Sequence, residues 1–519
     1  MTTAAPSHVT EDQSEIFAFL ADPATYGLKA PVRRIDTHGA AVFLAGRDAY
    51  KVKRAVRFPF MDFSTRARRE AACKAEIAVN RAFAPQLYLG AVPIIRDAAG
   101  LRLGGRGEAV EWAVHMRRFD ETQTLDLLAE AGALPGDLAA KLAPVVLGAH
   151  TKAAVCIAKG GADRFIRCAE ENRDGLAEFP ELFAPQRMMR RYERIRQRIG
   201  ELGPLLDRRA QTGFVRRCHG DMHLRNIALI DGAPVLFDAI DFYDEIAISD
   251  ILYDLAFLLM DLWERGLEPV ANELFCRYLW YGEAQNIEAL SALPLMLSMR
   301  AAIRAKVSAA SLAALAPEDQ APMRQAAQLY FETAGGFLTR PAPRLIAIGG
   351  LSGTGKSALA GRLAARIGPA PGALVLRSDI ERKILAGAGE TEKLGPGEYS
   401  PARTEAVYGA LRRKARAALM SGWPVIVDAV HAKPRERAAL TAIAAKLDIP
   451  FDGLWLETPL PARRARVAAR RGDASDADAA IAEQQEAYET GEIDWRRIDA
   501  GGSLEQSLEA ALGNLGAAP

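Results

Sequence analysis

Leu345-Ile346-Ala347-Ile348 runs through Gly349 into Gly350-Leu351-Ser352-Gly353-Thr354-Gly355-Lys356-Ser357. Leu359, Leu363 and Ile367 follow at helical spacing, and Gly368 and Pro369 end the stretch. An apolar strand, a glycine-rich loop and a helix, in that order, are the context the pattern G-x-x-x-x-G-K-[ST] requires. Glycine lets backbone N–H groups close around phosphate oxygens, and the helix N-terminus adds positive potential. On this reading Gly350, Gly353 and Gly355 shape a cradle for ATP. Lys356 reaches the β- and γ-phosphates, and the Ser357 hydroxyl ligates Mg²⁺.

Downstream, short apolar runs at 373–376, 425–427 and 454–456 alternate with helical stretches. That alternation predicts an α/β P-loop NTPase fold with a parallel sheet. Val425-Ile426-Val427-Asp428 reads as a strand whose last residue, Asp428, serves the metal. Arg377-Ser378-Asp379 follows the second strand. Asp379 is placed to take a proton from a substrate hydroxyl, with Arg382 one turn later to hold that substrate. The competing reading makes Asp379 a helix cap. Arg463, Arg466 and Arg470 recur at i, i+3 and i+7. They predict a lid whose guanidiniums neutralise a transferring phosphoryl group, with Arg466 and Arg470 as ATP contacts; a solvated basic face is the alternative.

Upstream stands a second motif, His219-Gly220-Asp221-Met222-His223-Leu224-Arg225-Asn226. It has the spacing of the protein-kinase catalytic loop. Asp221 would orient an acceptor hydroxyl and take its proton, Asn226 would ligate Mg²⁺ without adding charge, and His219 would brace the loop. Pro234-Val235-Leu236-Phe237-Asp238 supplies a second metal ligand, Asp238, with Asp241 as its rival. Strands are expected at 41–44 and 49–53, and Lys51 and Lys53 share one face of the second. Either lysine suits the α- and β-phosphates, Lys51 preferred. A buried lysine needs a carboxylate partner, and Glu76 is preferred to Glu70 on the helix expected over 64–83. Arg300 and Arg304 share a helix face and suggest an anionic acceptor; a salt-bridged surface helix explains them equally well.

Thr339-Arg340-Pro341-Ala342-Pro343 breaks the composition between these regions. It suits an extended linker and divides the chain into residues 1–340 and 341–519. The 519 residues carry a formal net charge of +1. That argues against an extended nucleic-acid surface or a polybasic membrane anchor. The five cysteines form no C-x-x-C pair, and Cys218 reads as a packing residue. Met1 to Ser14 shows no leader pattern and no apolar run reaches membrane length, so a cytoplasmic protein is expected.

Gly350–Ser357, Arg377–Lys383, Val425–Ala429 and Arg470–Asp478 together resemble the AAA-type P-loop kinases, relatives of zeta toxins, polynucleotide kinase and gluconate-kinase-like enzymes, over roughly 343–500. In polynucleotide kinase the residue matching Asp379 is the base, and the resemblance implies that role here. His219–Asn226, Asp238 and Asp250-Ile251-Leu252-Tyr253-Asp254-Leu255-Ala256 resemble the aminoglycoside phosphotransferase and choline kinase group, whose fold is protein-kinase-like α+β. Arg225 before Asn226, and the additional Asp241, depart from that group and speak against an aminoglycoside acceptor. The pairing resembles a bacterial two-domain family often labelled bifunctional. It implies an ATP- and Mg²⁺-dependent kinase with two sites acting on small-molecule hydroxyls. The alternatives are a P-loop module that phosphorylates nucleic-acid ends, or one that binds nucleotide and regulates the other site.

Overall fold

The computed structural model describes residues 9–37, 39–58, 61–157, 160–241, 243–339, 342–470 and 472–516. Met1–His8, Arg340, Pro341 and Arg471, on which sequence expectations fell, lie outside the described residues. The chain forms two compact units: residues 1–136, 148–157 and 212–254, and residues 137–147, 158–211 and 255–519. Among the described residues no helix is long and apolar enough to cross a membrane.

The first unit is built on an antiparallel sheet: β1 (Arg33–Asp36), β2 (Ala40–Ala45), β3 (Asp48–Lys53), β4 (Tyr88–Asp97), β5 (Gly100–Leu103) and β6 (Glu108–Arg117), in the order β1-β2-β3-β6-β4-β5. Strand alternation sorts side chains onto two faces. Phe43, Val52, Ile94 and Ala113 pack with Ile16 and Leu20 of helix Ser14–Ala21. Tyr88 and Val114 pack with Cys73 and Ile77 of helix Arg66–Asn80. That second helix starts at Thr65, whose hydroxyl accepts the Arg68 N–H as an N-cap. Hairpin Ile227–Ile230/Ala233–Leu236 and the short pair Val215–Arg217/Ile248–Asp250 frame the catalytic-loop motif.

The second unit holds the parallel sheet: β7 (Leu345–Gly349), β8 (Leu374–Arg377), β9 (Val425–Asp428), β10 (Phe451–Glu457) and β11 (Arg496–Asp499), in the order β8-β9-β7-β10-β11. Every neighbouring pair is parallel. The central β7 is buried throughout, as a strand covered on both faces must be.

Edge strand β8 presents backbone groups that need partners. Helix Glu268–Tyr281 supplies them from Asn272, Cys276 and Trp280, one helix face. The Asn272 amide donates to Pro371 O and Ala373 O, each at 2.9 Å. The Val375 N–H donates to Cys276 Sγ at 3.3 Å, and Trp280 Nε1 donates to Val375 O at 2.6 Å. Asn272→Leu removes the amide donor from two buried carbonyls, of which Ala373 O keeps the Cys276 Sγ–H. A loss of about 1–3 kcal/mol is expected in urea denaturation of this unit.

Candidate active sites

In the first unit the catalytic loop is held by its backbone. Gly220 takes φ +82°, a conformation glycine adopts at low cost. The buried Asp254 carboxylate accepts two successive N–H groups, His219 at 3.2 Å and Gly220 at 2.9 Å. His150 Nε2 lies 3.2 Å from the same carboxylate. His219 is fully buried, and burial pushes its imidazole pKa below the usual range; Nε2 meets Phe237 O at 2.9 Å. Cys218 packs with Phe214 and Ile251.

The loop so fixed brings Asp221 and Asn226 together. The Asn226 amide donates to Asp221 Oδ2 and to Asp221 O, each at 3.0 Å. His223 Nε2 stands 3.3 Å from Asp221 Oδ2. Asp254 and His223 are site residues that the sequence reading left without a role. Asp254 belongs to the Asp-Leu-Ala stretch, yet its work is done through backbone groups more than thirty positions away. Asp254→Asn keeps the shape but turns an amide NH₂ toward a backbone donor. Loosening the loop in this way is expected to lower turnover at this site about 10²-fold, with the KM for ATP little changed, in steady-state kinetics.

Lys51 joins helix Arg66–Asn80 to the metal loop. Its Nζ lies 3.0 Å from Glu76 Oε1 and 2.8 Å from Asp238 Oδ1. Burial opposes the Lys51 charge, but Asp238 and Glu76 outweigh it and hold its pKa well above the lysine range. Asp238 adopts φ +58°, and its N–H donates to the Tyr88 hydroxyl at 3.0 Å. Its side chain is 49% exposed, while Asp241 is 6% exposed and sits 3.5 Å from Lys53. Glu70 pairs instead with Lys74 on its own helix. The donor set, one lysine with Asp238 and Asn226, has the chemistry for a Mg²⁺-bound triphosphate.

In the second unit Gly350, Gly353 and Gly355 take φ of +137°, +85° and +94°. A Cβ at Gly350 would lie 2.7 Å from Leu456 O, and one at Gly353 2.6 Å from Arg463 O, so neither position admits a side chain. The Ser357 hydroxyl donates to Asp428 Oδ2 at 2.5 Å, and Lys356 Nζ donates to Leu351 O at 3.0 Å. Burial depresses the Lys356 pKa against the opposing pull of Asp428 and Asp379; Arg470 and Arg463 depress it further. Burial raises the Asp428 carboxyl, with Arg377 the largest opposing influence. These residues fit phosphate and a divalent cation.

Asp379 lies in the first turn of helix Ser378–Ala386, whose N-cap position is held by Arg377. Arg382 lies over the Tyr399 ring, 4.7 Å from its centroid, and donates to Glu398 O. Helix Leu460–Ala469 carries Arg463 and Arg466 but stops before Arg470, which is extended. The expected row of three therefore has two helical members. Arg463 is buried against Ala482 O and Glu486, and Arg466 reaches Thr354 O at 3.4 Å. Asp473 and Asp476 tie the following segment to Arg377 and Lys383. Arg300 is 1% exposed with its guanidinium 4.8 Å from the Phe257 ring centroid, and Arg304 lies 5.5 Å from that of Tyr330.

Two family models match the chain. A phosphotransferase enzyme family model matches residues 40–290, and an AAA-domain model matches residues 345–490. The chain is thus a two-module protein of kinase type. It belongs to the family of the uncharacterized protein Rv2004c of Mycobacterium tuberculosis H37Rv, 32% identical over 488 residues, 92% of this chain and 94% of that one. The uncharacterized protein Mb2027c of Mycobacterium bovis matches to the same extent. Among solved structures, a choline/ethanolamine kinase family protein from Mesorhizobium loti is 19% identical, covering 63% of this chain and 94% of its own, with a TM-score of 0.39. The Mycobacterium tuberculosis APS kinase CysC is 21% identical over 34% of this chain and 99% of its own, with a TM-score of 0.26.

Proposed function

We propose that the protein is an ATP-dependent phosphotransferase with two kinase-type sites, each phosphorylating a hydroxyl of a small-molecule acceptor. One observation carries the reading: each module by itself gathers a half-buried lysine, a set of metal-suited oxygens and a carboxylate able to act as base. Mg²⁺, when bound, would neutralise phosphate charge.

In the first module Lys51, oriented by Glu76, holds the α- and β-phosphates, while Asp238 and Asn226 hold the metal. Asp221 accepts the proton of the acceptor hydroxyl. In the P-loop module the backbone of 350–355 and Lys356 hold the phosphates, Ser357 and Asp428 serve the metal, and Arg466 and Arg470 face charge developing on the phosphoryl group. Asp379 accepts the acceptor proton there. The Arg382 guanidinium supports an acceptor that carries negative charge. Free cysteines, with no disulfide among the described residues, support a reducing, cytoplasmic setting.

The test is to incubate the protein with ATP, Mg²⁺ and a metabolite extract and to follow new phosphorylated species by mass spectrometry. Phosphorylated small molecules are expected. Labelled oligonucleotide ends alone would replace the small-molecule reading with a nucleic-acid one. Products that ignore Lys356 would make the P-loop module a regulator.

A further inference from the structure

Strand β3 carries a second buried lysine that a phosphate-holding role does not use. Lys53 Nζ lies 2.6 Å from Glu76 Oε2 and 3.5 Å from Asp241 Oδ2. Glu76, 1% exposed, thus sits between two ammonium groups, one on each oxygen. The exposures differ in a telling way. Lys51 and Asp238 are 17% and 49% exposed, whereas Lys53 and Asp241 are 5% and 6% exposed. One lysine–aspartate pair is open to incoming ligand and the other is sealed. Helix Arg66–Asn80 also grips the metal loop directly: the Asn80 amide donates to Ala239 O at 3.1 Å, and the Ala239 N–H donates to Asn80 Oδ1 at 2.7 Å.

We infer that Lys53 is a positioning residue that locks Glu76 and the metal loop in the working arrangement, leaving Lys51 available to the nucleotide. This rests on the proposed role of Lys51. In kinases of this architecture the lysine–glutamate pair and the metal aspartate must both be in place for transfer, and moving them is a means of control. Here a buried carboxylate would lose half its counter-charge each time Lys51 turned toward phosphate, and an uncompensated buried charge is costly. Lys53 remains with Glu76 throughout. Although burial pushes the Glu76 carboxyl up, Lys51 and then Lys53 hold its pKa at about 2, so it stays ionised near neutral pH. Through Asp241 the same ammonium fixes the loop that carries Asp238. The site is therefore built without an on–off movement of this helix.

The test is steady-state kinetics of the Asp221-dependent product with MgATP varied, beside thermal denaturation. Lys53→Met frees Glu76 to compete for Lys51, so the KM for MgATP is expected to rise ~10-fold or more with kcat within ~3-fold of the parent. Lys53→Arg should restore KM. Lys53→Met combined with Asp241→Asn removes both charges; it should recover melting temperature but not KM. Recovery of both by the double variant, or an unmoved KM in Lys53→Met, overturns the inference. Lys51→Met separates it from the reading beneath it. If Lys51→Met raises KM and Lys53→Met does not, the lock alone is lost. If only Lys53→Met raises KM, the phosphate contact moves to Lys53 and both readings fall.

Discussion

Lys356→Ala is expected to abolish the product of the P-loop module, lowering its formation by about 10³-fold or more, while the Asp221-dependent product persists. The size of the effect follows from where the ammonium sits. It is half-buried beside Asp428 and Asp379, and desolvation already depresses its pKa. A charge in such a place acts on phosphate through little water and with its position already fixed, so no other side chain replaces it. The fold should survive the change. Asp428 keeps the Ser357 hydroxyl at 2.5 Å and Arg377 Nε at 3.5 Å, so removing the lysine does not leave the aspartate without a counter-charge. Mass spectrometry of products, with circular dichroism as the control for folding, checks both halves.

What the sequence made legible was the chemistry carried by local order. A loop that must bend around phosphate needs its glycines, lysine and serine at fixed spacing, and 350–357 can be read without any partner. The same holds for Asp221 and Asn226, five residues apart and joined by the Asn226 amide. Residues that act at long range through the backbone could not be read. Tyr88 holds Asp238, Asn80 holds Ala239 and Asp254 holds His219 and Gly220, each across a separation that no motif records.

The fold divides in the same way. Strands β2 and β3 pair in unbroken register and join through a tight turn at Gly46, so the sequence shows them. Strand β4, absent from the sequence reading, contains Gly90 and Pro93 and pairs with β6 through register shifts at Tyr88/Gly90 and Ile94/Ile95. Its pattern is broken where the strand itself is irregular. The linker composition at 339–343 set the boundary between two modules near residue 341. One compact unit contains residues on both sides of it, and edge strand β8 and the residue before it take hydrogen bonds from Trp280 and Asn272. A polar residue, a cysteine and a tryptophan on one helix face carry no signature of the strand they serve.

Asp221→Asn is the complementary change, and it is expected to lower kcat of the first site about 10²–10⁴-fold, with the KM for ATP nearly unchanged. Asparagine preserves the side-chain shape and its own oxygen can still accept from Asn226, and most of what holds the loop lies outside the carboxylate. The loop is fixed by Asp254 at His219 and Gly220, and by the Asn226 amide on Asp221 O as well as on Oδ2. What is lost is the ability to accept a proton. The nucleotide contacts proposed for Lys51 and Asp238 involve neither Asp221 oxygen, so the effect should fall on the chemical step rather than on binding. Comparison with Lys356→Ala then fixes how the two sites are used. If each variant loses a different phosphorylated compound, the sites act on separate acceptors. If both lose one compound and an intermediate accumulates in only one of them, the product of one site is the acceptor of the other, and the variant that accumulates it identifies the later step.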